Sequence, residues 1–365
     1  MPSEPLKEPQ GPVLLDRIVK SECQRVAVLG LHAHAGTRTI LASLVRELHR
    51  RQWPFAVTSA PRTPLEIDAE TEAAVTTRLA VPVGAIVATA AASTADGAAR
   101  LELVETTDLE TSRGPVGIYR VVEGGEVDVQ GPDDPDAMEA VVKRLGTVSG
   151  GLVFVDGSWE RRAFAAPGVT DGLVLALASG LSATPERSAA AVRYLVEMFT
   201  VDPCEEPERV AWQETASGGA AVLLDVRGRP LGLLPPGLAD PVQALRAADG
   251  TPVATVVLPH GLNDEFMVSL VRSQFRCQLV VRDATRINIA PIYFKAWFKG
   301  GGKIRVVRRT HLVAVATNPI NNSGPDADAA KFRQSVAEAL PGLPVHDVVL
   351  ETGDEPRKPI WKFWE

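Results

Sequence analysis

Two glycines near the start of the chain flank a loop whose residue types could bind phosphate. Gly30 ends the apolar run RVAVL, and Gly36 precedes a segment with apolar residues at helical spacing. In a phosphate-binding loop, backbone N–H groups at a helix start cradle the phosphates, and a lysine and a hydroxyl follow the last glycine. Thr37 and Arg38 stand at those two positions here. The pattern predicts a strand–loop–helix unit of P-loop type that lacks its phosphate-gripping lysine.

The residue after Thr37 is the second departure from that motif, because it stands where a P-loop has the hydroxyl that binds magnesium. A cation such as Arg38 cannot coordinate Mg²⁺. Reading the motif one residue later would make Arg38 and Thr39 the functional pair, but a planar guanidinium does not replace a compact ammonium group. We expect a degenerate site at Gly30, Gly36, Thr37, Arg38 and Thr39, with no tightly bound cofactor and no ATP hydrolysis. Whether it binds a nucleotide or is only a relic loop is left open.

Asp156 follows the apolar run LVFV. In P-loop NTPases an acidic residue at the end of such a strand contributes a magnesium contact. Because Asp-Gly is also a common turn pair, an ordinary turn is the alternative. We favour the turn and include Asp156 in the degenerate site as its weakest member.

The other candidate metal-binding and catalytic groups lack some of the residues that their chemistry requires. His32 and His34 have no third metal ligand nearby in sequence, so we expect exposed loop histidines and no metal site. The sequence contains no GxSxG motif, and Cys23, Cys204 and Cys277 lie in settings that do not favour a nucleophile.

A basic segment near the end of the chain could contact a partner. No acidic residue occurs between Asp283 and Asp326. Aromatic side chains are interleaved with the cations, a combination found in nucleic-acid-binding proteins and in surfaces for acidic proteins. We expect the aromatics to fill a core and the cations to be a partner surface or a solvated face. The cations are Arg286, Lys295, Lys299, Lys303, Arg305, Arg308 and Arg309.

Composition limits the remaining function classes. The 365-residue chain is 45% hydrophobic and 23% charged, as in globular proteins. Its net charge of -7 argues against broad binding to nucleic acids or anionic membranes. Scattered cysteines, a polar start and the lack of a long apolar run predict a cytoplasmic protein without membrane contact.

The order of predicted elements indicates an α/β protein of two domains. We expect a P-loop-like (Rossmannoid) parallel-sheet N-terminal domain with a small β-hairpin insertion, and then a second α/β domain. The proline-rich acidic segment VDPCEEP marks the expected boundary. The predicted ranges are a flexible leader over 1–20, the two domains over 21–203 and 207–350, and a charged tail over 351–365.

Several strings together resemble one protein family. They are VAVLG followed by GTRTI, then VFVDGSWERRAFAAPGVTDGLVLALASGLS, and near the end VAVATNPINNSGPDADAAKF. They resemble the small (KamB-type) subunit of the reactivase for adenosylcobalamin-dependent lysine 5,6-aminomutase, an enzyme of amino-acid degradation. Nearly the whole chain is covered.

The resemblance implies a chaperone-like, non-catalytic role. Such a subunit helps to exchange damaged cobalamin on a lysine- or ornithine-type aminomutase, together with a MutS-like ATPase subunit. The subunit would contact cobalamin only through the partner enzyme. The resemblance also makes Asp156, Arg161 and Arg162 a polar group in which the carboxylate pairs with an arginine at a partner-facing surface.

Two other functions remain open. The first is a P-loop ATPase or GTPase of the metal-cofactor maturation type, suggested by the strand–loop–helix start. The second is a nucleic-acid-binding module that uses the basic segment 286–309, which would lose affinity steeply with salt.

Overall fold

The computed structural model describes residues 13–32, 34–61, 78–182, 184–215, 218–238, 241–246, 250–320 and 326–352. Most of the predicted leader and nearly all of the predicted tail lie outside these residues.

The described elements alternate between helix and strand along most of the chain. The helices are α1 (Leu14–Lys20), α2 (Thr37–Arg50), α3 (Pro135–Ser149), α4 (Pro185–Phe199), α5 (Glu206–Thr215), α6 (Pro241–Arg246), α7 (Asp264–Arg272), α8 (Pro291–Lys299), α9 (Ala329–Ala339) and α10 (Val348–Thr352). The strands are β1 (Arg25–Gly30), β2 (Phe55–Ser59), β3 (Arg78–Val81), β4 (Ile86–Ala90), β5 (Arg100–Thr111), β6 (Gly114–Glu123), β7 (Gly125–Asp128), β8 (Leu152–Ser158), β9 (Gly172–Ala178), β10 (Ala221–Leu224), β11 (Pro230–Leu234), β12 (Thr255–Leu258), β13 (Leu262–Asn263), β14 (Gln278–Val281), β15 (Ile287–Asn288), β16 (Lys303–Val306), β17 (Leu312–Asn318) and β18 (Val345–Asp347). The prediction of an α/β protein is confirmed.

The chain forms two compact units. The first contains the described residues through Arg193 and those from His311 onward, and the second is Tyr194–Thr310. Within the described residues, the first unit has a nine-stranded mixed sheet in the order β18-β17-β9-β1-β8-β2-β4-β6-β5. The pairs from β18 to β4 are parallel, whereas β6 and β5 are antiparallel.

Helices cover both faces of the parallel part of this sheet. Along β8, Phe154 belongs to the same core cluster as α1 and α2, whereas Val153 and Val155 belong to the cluster that contains α3. Side chains of a strand alternate between the two faces of a sheet. A strand with helices on both faces is therefore apolar at every position, which explains the uninterrupted run LVFV.

The second unit is built on a smaller sheet. Among its described residues, five strands pair in the order β11-β10-β12-β14-β16, and β12, β14 and β16 are parallel to one another. Its core contains Cys204, Val222, Leu224, Val257 and Val280.

The predicted domain ranges need correction at both ends of the second domain. The second unit starts inside α4 at Tyr194 and ends at Thr310, whereas we predicted 207–350. Residues 311–350 include β17 and β18, which pair within the first sheet. The segment around Pro203 pairs with Val306 and lies within the second unit, so it is not the boundary between the units. Local composition does not reveal which sheet a buried strand will join.

The prediction of a flexible leader is wrong for the part of it that the structure describes. Leu14, Leu15 and Ile18 are buried, because α1 packs on the first core. The backbone N–H of Leu14 donates to Glu351 Oε2 at 3.0 Å, so residues 14 and 351 are joined by a long-range hydrogen bond.

The predicted hairpin insertion is also different, because β6 pairs with β4 and extends the main sheet.

Candidate functional site

Four parallel strands of the first unit end at one edge of the sheet. Gly30, at the end of β1, is in register with Ser158 on β8 and with Ala176 on β9. One strand further, Ala178 of β9 is in register with Asn318, the last residue of β17. Ligands of open α/β sheets bind at the carboxyl ends of the strands. This edge is therefore the candidate functional site of the first unit.

The loop between β1 and α2 has the predicted strand–loop–helix arrangement. α2 begins at Thr37, so Thr37, Arg38 and Thr39 form its first turn. The N–H groups of a first helical turn have no partner within their own helix. Gly36 precedes the helix in a left-handed conformation, with φ of +85°, and offers no side-chain cap. Any hydrogen-bond acceptor for these N–H groups must therefore come from outside the helix.

Both glycines of the loop lie in tight surroundings. A methyl group on Gly30 would lie 3.0 Å from Thr37 Cγ2 and 3.2 Å from Ala35 Cβ. A methyl group on Gly36 would overlap the side-chain amide of Asn318. Asn318 is 3% exposed, and its Oδ1 accepts a hydrogen bond from the backbone N–H of Ile320 at 3.2 Å. The amide of Asn318 therefore packs directly on the glycine that precedes α2.

Asp156 lies inside β8 and not in a turn. The strand continues to Ser158, so the interpretation of Asp156-Gly157 as a turn pair is wrong. Asp156 is in register with Val28 of β1 on one side and with Ser59 of β2 on the other, and it is 6% exposed. A buried carboxylate therefore lies on the strand next to β1, two residues before that strand ends.

Arg161 and Arg162 follow β8 in a short 3-10 helix, Trp159–Ala165, that is kinked at Arg161. The Arg162 guanidinium carbon lies 4.9 Å from the ring centroid of Trp159, and its Nη1 donates to the Trp159 carbonyl at 3.3 Å. This stacking holds the Arg162 side chain along its own segment.

The two loop histidines differ from each other. His32 Nε2 accepts a hydrogen bond from the backbone N–H of Ala178 at 3.3 Å and links the loop to the end of β9. His34 is exposed and has a positive φ of 60°. Our expectation of exposed histidines is wrong for His32, which is half-buried. Within the described ranges, no cluster of three or more metal-ligating side chains occurs.

The basic segment belongs to the second unit. Lys295 and Lys299 are exposed on α8, Lys303 is exposed at the start of β16, and Arg308 and Arg309 are exposed after that strand. Arg286 ends a 3-10 helix, and Arg305 is half-buried.

The aromatics of this segment are divided between core and surface. Trp297 is completely buried and Phe294 is 5% exposed, whereas Phe298 is 41% exposed. The expectation that the aromatics fill a core holds for the first two only.

All three cysteines are buried, with 4%, 5% and 8% exposure for Cys23, Cys204 and Cys277. Burial raises the pKa of the Cys23 and Cys204 thiols, and it raises the pKa of Cys277 to about 12. A nucleophilic cysteine needs its thiolate. Burial therefore disfavours nucleophilic chemistry at these positions, but the expectation of a cysteine without a histidine neighbour is wrong for Cys23, whose Sγ lies 3.4 Å from His311 Nδ1.

Sequence reasoning missed Asn318 and Ser179 as members of the sheet edge. The Ser179 hydroxyl donates to the Pro319 carbonyl at 2.8 Å, so the ends of β9 and β17 are tied together. The available signal was a polar residue directly after an apolar strand, which is the same signal that identified Asp156.

Comparisons with known proteins found no match among family models, curated proteins or solved structures. Among the helices that the structure describes, none is long and apolar enough to cross a membrane.

Proposed function

We propose that the protein is a non-catalytic, cytoplasmic subunit of a reactivating complex, with a degenerate P-loop-like first unit. The complex would contain a MutS-like ATPase subunit and would help to exchange damaged cobalamin on an adenosylcobalamin-dependent aminomutase acting on lysine or ornithine. The observation that carries the proposal is the start of α2. Thr37 and Arg38 are its first two residues, where an ATPase needs a lysine and a metal-binding hydroxyl.

A subunit of this kind acts only through binding. To open an aminomutase, it must bind the open conformation more tightly than the closed one, since a ligand shifts an equilibrium only by its differential affinity. Energy from ATP would come from the partner subunit, and cobalamin would stay on the aminomutase. A subunit that neither hydrolyses ATP nor holds cobalamin is consistent with buried cysteines and with a phosphate loop that lacks its lysine.

The proposal is tested by reconstitution. Aminomutase inactivated by turnover is mixed with ATP, fresh adenosylcobalamin, this protein and its ATPase partner, and the recovery of activity is measured. We expect recovery to need both proteins. Full recovery with the ATPase partner alone would contradict the proposal, as would no recovery with both.

Nucleotide binding by the first unit is the second candidate function. It is favoured by Asp156, a buried carboxylate one strand away from the loop and in register with β1. Equilibrium binding of Mg-ATP and Mg-GTP to the isolated protein tests it. Micromolar affinity that is lost in Asp156→Asn would support a nucleotide site, and the subunit would then be nucleotide-responsive.

A further inference from the structure

Helix α8 exposes an unusual combination of side chains. At 3.6 residues per turn, positions 292, 295, 298 and 299 fall within about a third of the helix circumference. Ile292 is 70% exposed and Phe298 is 41% exposed, and Lys295 and Lys299 are exposed beside them. We call these four residues, together with the exposed Lys303 at the start of β16, the α8 face.

The opposite side of α8 fixes this face in place. The buried Trp297 donates from its indole N–H to the Lys303 carbonyl at 3.1 Å, which ties the helix to β16. Phe294 packs edge-on against Tyr194, with ring centroids 5.3 Å apart. Because the inner side chains are locked by packing, the outer ones are presented on a rigid support, which lowers the entropy cost of binding.

The cations of the α8 face have no counterion within the described part of the chain. Lys295, Lys299 and Lys303 form no ion pair with any described residue. Arg305 is different, since its Nη1 lies 2.6 Å from Asp202 Oδ2 and its side chain is 30% exposed. Two uncompensated cations and two exposed apolar side chains therefore share the outer side of α8, and a third such cation begins β16, on a chain whose net charge is -7.

We propose that the α8 face docks an acidic protein segment that carries apolar side chains on one side. Carboxylates of the partner would meet the lysines, and its apolar side chains would cover Ile292 and Phe298. A nucleic acid would match the cations but would leave Ile292 uncovered. An anionic membrane is an extended negative surface that would also face the acidic remainder of the chain, whereas a short acidic segment contacts the α8 face alone. The inference rests on the proposed partner-binding role and specifies the chemistry of one contact.

The test uses the full-length protein and a fluorescent peptide with Glu and Leu at helical spacing. A peptide of the same composition in scrambled order serves as the probe control. We expect Lys295→Glu with Lys299→Glu to weaken binding about tenfold at low salt, and less at about 0.5 M salt, where the charges are screened. Ile292→Ser keeps every charge and should weaken binding severalfold at both salt concentrations.

A matched variant separates this local effect from a change in net charge. Lys20→Glu with Lys331→Glu makes the same charge change at exposed positions on α1 and α9, and it should leave binding unchanged. Equal losses in both double variants would overturn the proposal. Binding of a DNA duplex or phosphatidylserine vesicles in preference to the peptide would overturn it as well, and so would no binding of the ordered peptide.

The same variants keep this inference distinct from the proposed function. If wild-type protein reactivates the aminomutase and the charge-reversed α8 variant does so equally well, the docking surface is wrong and the function stands. If wild-type protein fails to reactivate while the peptide still binds through α8, the function is wrong and the surface stands.

Discussion

The side-chain amide of Asn318, at the end of β17, packs against the α-carbon of Gly36, at the start of α2. The two residues are far apart in sequence, and the contact fixes the loop that precedes α2. Gly36 combines two constraints, a positive φ and a filled space where a side chain would begin. Gly84 has nearly the same φ, +88°, with no atom within 4 Å of an added methyl group, and is its matched control.

Substituting the two glycines separates the cost of a left-handed backbone conformation from the cost of steric overlap with Asn318. We expect Gly84→Ala to lower the free energy of unfolding by about 1 kcal/mol, because only the left-handed backbone is penalised. Gly36→Ala should cost about 2 to 4 kcal/mol, because the methyl group also displaces Asn318. Denaturant unfolding measures both. Adding Asn318→Ala should recover part of the loss at Gly36, and equal costs at the two glycines would show that the Asn318 contact is unimportant.

Restoring the phosphate-binding residues tests whether the loop is chemically or sterically disabled. The wild-type protein should show no Mg-dependent hydrolysis of ATP or GTP, and turnover of about 1 per second or faster would contradict this. Thr37→Lys with Arg38→Thr supplies the missing lysine and hydroxyl at the helix start. If the scaffold is intact, the double variant should bind a fluorescent nucleotide analogue, and Asp156→Asn in that background should weaken the Mg-dependent part. No gain in binding would indicate that the loop itself, covered by Asn318, excludes a phosphate.

The buried thiol of Cys277 predicts a loss of stability at alkaline pH. Its pKa is about 12 in the folded protein, against 9.0 as the ordinary value. Below the ordinary pKa the Cys277 thiol is protonated in both the folded and the unfolded protein, so its ionisation does not lower the free energy of unfolding. Above it the unfolded state releases the proton and the folded state does not, so stability falls as the pH rises toward the folded pKa. One pH unit above the ordinary value, at about pH 10, this costs about 1.4 kcal/mol.

Urea unfolding under reducing conditions at about pH 8 and about pH 10 measures that loss. Cys277→Ala should be less stable than wild type at both pH values, because a packed side chain is truncated, but its stability should fall less between them. A fall of equal size in both proteins would show that Cys277 does not contribute to the alkaline loss.

Truncation tests whether the first sheet needs the two strands that follow the second unit in the chain. Ending the chain at Thr310 removes β17 and β18 and leaves β9, a fully buried strand, at the edge of the sheet. We expect this fragment to aggregate, since an exposed apolar edge strand promotes association. Replacing Tyr194–Thr310 by a flexible linker keeps all nine strands and should give a soluble protein that unfolds cooperatively. A soluble, cooperative fragment ending at Thr310 would mean that β17 is dispensable.

Limited proteolysis should spare the segment that we first expected to be the linker. The Cys204 N–H donates to the Val306 carbonyl at 2.8 Å, and the Val306 N–H donates to the Asp202 carbonyl at 3.1 Å. Val201 and Cys204 are also buried. Proteases cut exposed, flexible backbone first. Early cleavage within 201–204, identified by mass spectrometry, would contradict this pairing.

The sequence by itself determined the parts of this protein that depend on neighbouring residues. The run RVAVL and the helical spacing after Gly36 predicted β1 and α2, because strand and helix periodicity are local properties. The tertiary structure decided which distant segments meet. β17 is buried at every position, as are β9 of the first unit and β10 of the second, and only its pairing with β9 places it in the first sheet and Asn318 on Gly36. In the same way, only the packing of Trp297 and Phe294 determines which side of α8 remains outside. Pairing and packing join residues far apart in the chain, and local composition carries no signal of their register or partner.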